Sequence, residues 1–375
     1  MTARDRNRFR PGGLDSFGEA VGRPGGGSCP GPEKMPVFFG KSGSCEYPGN
    51  LQIRLKSIPL ARYKNRSDLP GNLLTPEAEI PSFMYRIAHI SDLHIPPLPR
   101  MTLRQLASKR ILGLFSWHKK WKDEHRGAIL DALLSRLDSI APDHICVTGD
   151  ITFTTHPAEV DQAAAWMGRL GSPDKISLIP GNHDAYVPGA FDYVLDKWSP
   201  WMRDDAGTPG FPYIHRRGPV NIIGLSSAVV TPPFTSIGFI GEEQLEKTRR
   251  LLESTRHENR VTLLMLHHPP HDNATRRTKA LTDRQGLQDL LRQLPVSAVL
   301  FGHLHYPVRA SLEGPHGPIP VLGAASASAL GKRKGAAHFH VIEVEGDDTR
   351  ASLAIQHYEF DASSGQFQAR AREAL

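Results

Sequence analysis

Cysteine is scarce in this chain: Cys29, Cys45 and Cys146 are the only three in 375 residues. Their number and wide spacing argue against a disulfide framework and against a thiolate zinc site. Long hydrophobic runs are missing as well. No stretch approaches the ~18 apolar residues of a membrane-spanning helix. Arg4, Arg6, Arg8 and Arg10 are followed by no apolar segment, so the N-terminus does not read as a secretory signal. A cytoplasmic protein is expected. There is no internal repeat.

What is present is unevenly placed. Residues 1–83 carry 12 Lys/Arg against 8 Asp/Glu, residues 100–126 carry 8 against 2, and residues 127–375 carry 24 against 28. The net charge of +6 therefore belongs to two N-terminal segments. The remainder is slightly acidic and offers no strong nucleic-acid signal, which would be a basic stripe interleaved with aromatics. Residues 1–83 are rich in Gly and Pro ("RPGGG", "CPGPE", "EYPGN") without a sustained period, and are expected to be a disordered extension. Residues 84–360 are expected to form the folded domain, with 361–375 as a tail.

From Tyr85 the pattern alternates. "YRIAHI", "DHICVTGD" and "KISLIPGNHD" read as strands, with helices over His125–Ile140 and "HPAEVDQAAAWMGRL" between them. "VNIIGLSS", "VTLLMLHHPP" and "SAVLFGHLH" are further strands, separated by the helices "GEEQLEKTRRLLEST" and "DRQGLQDLLRQL". The last third reads as strands only: "PIPVLGA", "AAHFHVIEVEG" and "RASLAIQHYEF". Alternating units predict α/β layers with a largely parallel sheet, completed by antiparallel strands.

Polar residues fall where strands end. Asp92 and His94 follow the first strand, Asp150 the second, and Asn182, His183 and Asp184 the third. His267 and His268 follow "VTLLML", and His303 and His305 follow "SAVLF". Any one cluster alone reads first as a plain turn or loop, since Gly, Asn and Asp are turn residues. Ligand sites of open α/β sheets lie outside the carboxyl ends of the strands, so five clusters on five strands should converge. The donors are carboxylates, imidazoles and an amide, which suit Mn, Fe, Zn or Ni. They are too many for one tetrahedral ion and enough for two, a pairing suited to phosphoryl displacement.

"SDLH", "GD", "GNHD", "HHP" and "GHLH" resemble, in order, the five motifs of the calcineurin-like metallophosphoesterase superfamily, over about residues 85–345. The style is most similar to bacterial class III cyclic-nucleotide phosphodiesterases. The resemblance implies a layered αββα sandwich with mixed sheets and the metal site at the carboxyl ends of the strands. It implies two divalent or mixed-valence metal ions (Mn, Fe, Zn or similar). Asp92, His94 and His305 would hold the first, Asn182, His267 and His303 the second, and Asp150 would bridge them. His183 would assist the leaving group as a bridging hydroxide attacks, and Asp184 would hold the His183 ring. His268 would support the ligands or touch substrate.

The implied function is a phosphodiesterase or phosphomonoesterase acting on a small phosphate ester. A metal-dependent nuclease and a non-catalytic metal-bound scaffold are the alternatives, and retention of His183 favours catalysis. Arg276, Arg277 and Lys279, in the loop after "HHPP", are candidate contacts for an anionic substrate. Residues 100–126 have no counterpart in the motifs. Leu103, Ala107, Ile111, Leu114 and Trp121 follow helical spacing, widened by Leu106, Phe115 and Trp117. Arg104, Lys109, Arg110, Lys119, Lys120 and Lys122 supply charge. A basic amphipathic helix, interrupted at Gly113, is expected: either a wall packed on the core or a peripheral contact with a membrane.

Overall fold

The computed structural model describes residues 83–346 and 351–375. Three short strands, β1 (Phe83–Ile90), β2 (His144–Val147) and β3 (Ile176–Leu178), lie parallel and begin the first sheet. The chain then builds a second sheet from β4 (Tyr213–Arg217), β5 (Val220–Gly224), β6 (Val261–Met265), β7 (Ala298–Phe301), β8 (Val308–Gly314) and β9 (Gly317–Gly323). Its order is β4-β5-β6-β7-β9-β8, with a parallel centre and antiparallel edge strands. β10 (His338–Gly346) returns antiparallel beside β1, followed by β11 (Ala351–Asp361) and β12 (Gln366–Ala374).

Short continuous apolar runs become strands buried on both faces. In β6 and β7, Leu263, Met265, Ala298 and Leu300 face inward and pack with Ile87, Val147 and Ile176 of the first sheet. Leu264, Val299 and Phe301 alternate outward, onto a second apolar cluster. The helices are α1 (Leu103–Leu106), α2 (Arg110–Ser116), α3 (Gly127–Ile140), α4 (Pro157–Leu170), α5 (Phe191–Lys197), α6 (Glu242–Thr255) and α7 (Arg284–Leu291). Leu130 and Leu133 of α3 and Val160 and Met167 of α4 cover the first sheet, and Leu252 of α6 and Leu287 and Leu290 of α7 cover the second. The result is the expected α/β architecture, helix–sheet–sheet–helix. No helix among the described residues is long and apolar enough to cross a membrane.

Three expectations need correction or stand outside view. The Gly/Pro-rich extension lies outside the described residues, apart from Phe83. Residues 361–375 are not a tail: β12 pairs with β11, Phe367 is fully buried, and its carbonyl accepts from Arg136 Nε at 2.8 Å. "QFQARAREA" has one core anchor and a polar face to solvent, so its apolar signal is weak. The segment 100–126 breaks at Ala107–Lys109 and ends in a π turn at Trp117–Trp121, while Gly113 lies inside α2. A Cβ on Gly113 would stand 2.7 Å from Thr154 Cγ2, so glycine lets the helix approach the core rather than ending it.

Candidate metal centre

The motif loops put their ligands on unusual backbone. Asp92 (φ 50), His94 (φ 38), Asp150 (φ 54), His303 (φ 72) and His305 (φ 61) all have positive φ. Non-glycine residues adopt this region rarely, and clusters of such strain mark functional sites. The adjacent glycines explain the tight turns. A side chain on Gly181 would collide with Asp150, and one on Gly302 with Ser91 Oγ.

Two donor groups result, and they share one carboxylate. Asp92, His94, Asp150 and His305 form the first; Asp150, His267 and His303 form the second. His305 Nε2 is 3.1 Å from Asp92 Oδ1, and His94 Nε2 is 3.3 Å from His305 Nε2. His267 Nε2 is 3.2 Å from Asp150 Oδ2. Asn182 joins the second group, with its Oδ1 2.8 Å from His303 Nδ1. Asp92 Oδ1, His267 Nε2 and His303 Nε2 are buried yet lack a hydrogen bond of acceptable geometry, despite the short contacts of the first two. Buried polar atoms are rarely left unpaired. Several donor atoms crowded together without mutual hydrogen bonds are what metal ions would satisfy.

The opposite edges of these groups are occupied. His94 Nδ1 donates to Thr152 O (3.0 Å) and His267 Nδ1 to Thr148 O (2.7 Å), leaving Nε2 of each ring at the centre. Metal-binding histidines characteristically donate their other N–H in this way. Asp92 Oδ2 accepts from Ser91 Oγ (2.7 Å) and the His303 amide (2.9 Å), leaving Oδ1 free. Burial disfavours a charged imidazole at His267, but the Asp150 carboxylate outweighs it and holds the pKa at about 9. Burial also drives His94 and His303 well below the ordinary value, reinforced by neighbouring imidazoles, so both rings are neutral. The donor types, carboxylates and imidazoles with the Asn182 amide oxygen beside them, fit two hard-to-borderline cations.

His183 stands beside the ligands. Its amide donates to Asp150 Oδ1 (2.7 Å), its Nδ1 donates to Phe153 O (2.7 Å), and its ring stacks on Tyr186. Nε2 is left as the free ring nitrogen. Asp184 does not hold that ring. Its carboxylate accepts from the Gly181, Ile151 and Thr152 amides and from Thr152 Oγ1, so it braces the turns carrying Asp150 and Asn182. Burial and the nearby Asp150 charge lift its pKa to about 7, against those hydrogen bonds. A carboxylate offset by one residue from His183 faces the opposite side of the turn, which spacing alone does not reveal.

His268 is buried with both ring nitrogens engaged, Nδ1 with Ser227 Oγ (2.8 Å) and Nε2 with Ser236 O (3.2 Å). It is a packing residue, without a nitrogen free for substrate. Of the loop cations, Lys279 lines the cleft over Asn182 and His183, whereas Arg277 lines a separate cleft with His271 and Arg284. Arg276 is exposed and lines neither.

Three further residues stand at the site that the sequence did not place there, Lys109 having been read only as part of a basic helix face. Lys109 is half-buried and donates to Thr231 Oγ1 (2.8 Å), and its Nζ sits 4.6 Å from the Tyr186 ring centre. Lys334 donates to Leu304 O (2.8 Å) close to the second histidine pair. His125 groups with His94 and His305; its Nδ1 meets Ser328 Oγ at 2.7 Å and its buried Nε2 has no partner. It heads the run before α3 with no motif around it, so only the approach of "EHR" to the first strand end reveals it.

A family model described as calcineurin-like phosphoesterase matches residues 85–307. A probable cyclic nucleotide phosphodiesterase of Rhodococcus erythropolis is 28% identical over 255 residues, covering 66% of this chain and 73% of that one. A cAMP/cGMP dual specificity phosphodiesterase of Mycobacterium tuberculosis is 26% identical over 258 residues, covering 66% and 69%. Two solved structures share the fold. A dimetal phosphatase from Danio rerio aligns with TM-score 0.51 at 14% identity, over 76% of this chain and 98% of that one. A purple acid phosphatase from yellow lupin aligns with TM-score 0.53 at 12% identity, over 78% and 54%. Motifs, fold and donor groups agree, and the chain belongs to the calcineurin-like phosphoesterase family of metal-dependent phosphoester hydrolases.

Proposed function

We propose that the chain is a dinuclear-metal phosphodiesterase. The observation that carries this reading is Asp150, shared between two buried donor groups beside one cleft. Asp92, His94 and His305 would hold one ion, Asn182, His267 and His303 the other, with Asp150 between. Bound ions of this kind polarise phosphoryl oxygens and acidify a coordinated water. The relatives named for cyclic nucleotides support a diester rather than a monoester bond.

The protein's own groups do the rest. The Thr148 and Thr152 carbonyls fix the tautomers of His267 and His94. Asp184 holds the two turns rigid. Burial lowers the His183 pKa against the pull of the Asp150 carboxylate. The ring, clamped through Nδ1, therefore takes a proton on Nε2 from water in the cleft, stabilises the phosphoryl charge in that charged form and passes the proton to the leaving oxygen. Lys279 adds positive charge at the mouth.

The test is a substrate panel with Mn: bis-p-nitrophenyl phosphate, p-nitrophenyl phosphate, cyclic AMP and glycerophosphocholine. Turnover of diesters above the monoester is expected. Turnover of p-nitrophenyl phosphate alone would overturn the diesterase reading.

A further inference from the structure

The cleft over the metal centre is about 410 Å³ and has an unusual rim. Asn182 and His183 lie at its floor, and Lys119, Lys120 and Lys279 along its sides. Phe115 of α2 and Phe234 of the facing loop form its lips, 65% and 85% exposed. Lys109 ties the two lips together, bonding Thr231 O at 3.1 Å. Beyond them, Leu103 is 87% exposed, with Ile111 and Val230 also open to solvent. Most large apolar side chains of a folded domain are covered, and a concentration of bare ones marks an interaction site.

This wall reverses the ordinary amphipathic arrangement. Arg110 turns inward and donates to the Thr154 and Thr155 carbonyls, and Gly113 seats α2 on Tyr186. Charge and glycine anchor the wall, while Leu103, Ile111 and Phe115 face water. Apolar side chains with lysines between them suit the boundary between lipid headgroups and acyl chains. Phe115 and Phe234 have no hydrogen-bonding group, so they select by apolar area.

We propose that the substrate is an amphiphilic phosphodiester taken from an anionic membrane surface. Its phosphate reaches the floor of the cleft, its hydrocarbon passes between Phe115 and Phe234, and Leu103 and Ile111 with Lys119, Lys120 and Lys122 seat the rim on the bilayer. This rests on the phosphodiesterase reading and names its substrate class.

Two measurements test it on the full chain. Sedimentation with phosphatidylglycerol vesicles at low salt should retain the protein, and phosphatidylcholine vesicles should not. Changing Lys119, Lys120 and Lys122 together to Gln should weaken partitioning about 10²-fold. With Mn present, dodecyl p-nitrophenyl phosphate should exceed methyl p-nitrophenyl phosphate in kcat/KM by about tenfold or more. Phe115→Ser with Phe234→Ser should erase that ratio. Equal kcat/KM for the two esters, with the protein left in the supernatant, overturns the amphiphile and leaves the diesterase standing; failure on both esters overturns the diesterase. A dimer that Phe115→Ser and Phe234→Ser convert to monomer would show that a second copy covers the rim, and would also overturn the proposal.

A second observation lies on β10 and β11. His338 and His340 alternate on one strand, and His357 is the cross-strand partner of His340. Their ligand nitrogens lie within 4.8 Å of one another, with His338 Nε2 3.2 Å from His357 Nδ1. His340 Nε2 donates to Gly323 O (3.2 Å), and His357 Nε2 is 3.3 Å from Glu373 Oε1. Carbonyl and carboxylate partners of this kind are what metal-bound imidazoles keep on their far side. His340 Nδ1 is buried without a partner.

We infer that His338, His340 and His357 hold a third divalent ion, of the zinc type. After equilibration with Zn and desalting, the protein should contain three ions per chain, and His357→Ala two. Glu373→Gln should lower affinity for the third about 10–100-fold. Two ions in the unaltered protein, or three in His357→Ala, would overturn the inference, and circular dichroism of each variant separates ligand loss from unfolding.

Discussion

At the strand ends, Asp92, His94, Asp150, Asn182, His267 and His303 are buried, and most are held by a hydrogen bond behind the atom that faces the shared centre. Across the same cleft, the wall of α1, α2 and the π turn keeps Leu103, Ile111 and Phe115 in water. The first region spends backbone strain and buried charge to fix atoms at one point. The second is fixed from its inner side, through Gln105, Lys109, Arg110, Gly113, Trp117 and Trp121, and leaves Leu103, Ile111 and Phe115 of its outer face uncovered. Chemistry needs donors that cannot move, whereas a rim meeting a large or varied substrate needs area. The two regions should therefore respond differently to substitution.

The largest effect should come from the shared carboxylate. Asp150→Ala should remove both ions, and Asn182→Ala at most one, as read by metal analysis of the purified variants. Equal full occupancy in both would break the ligand assignment. Next comes His183→Ala, which should keep its metals and lose about 10²–10⁴ in rate. The loss should be greatest for alkoxide leaving groups and small for p-nitrophenolate. A uniform loss would mean that the ring acts only through charge.

Smaller effects distinguish the wall from the interior. Gly113→Val should cost about 1–3 kcal/mol by overpacking against Thr154 and Tyr186, and lower the melting temperature without changing metal content. Loss of metal would show that the wall supports the centre. His144 tests the space between the sheets. It is buried against Ser177 Oγ (2.8 Å), and burial, with His215, lowers its pKa to about 3. The unfolded chain binds this proton first, so the stability His144 contributes is complete above about pH 6.5 and is lost as pH falls toward 3. His144 alone should lower the unfolding free energy read from urea titrations by up to about 1.4 kcal/mol per pH unit in that window. His144→Asn should reduce the slope by that share, the remainder coming from other buried histidines such as His89 and His268, and an unchanged slope would refute it.

The sequence by itself determined the strand–helix alternation, the order of the polar clusters and the donor types. Apolar runs of four to six residues between turn residues can only be buried strands here, and polar residues after each must collect at one edge of a parallel sheet. It did not reveal β12, because a solvent-facing edge strand with Phe367 as its buried anchor carries little periodicity. It could not separate Lys279 from Arg277, or the reach of Asp184 from that of His183. Each pair is near in sequence, and left-handed backbone and tight glycine turns send neighbouring side chains to different places. It left the apolar residues of 100–126 open between the core and a membrane surface, and did not foresee that Arg110 would take the Thr154 and Thr155 carbonyls or that Gly113 would sit against Tyr186. Those partners lie some forty residues or more away along the chain, and only tertiary packing decides which face of a helix they claim.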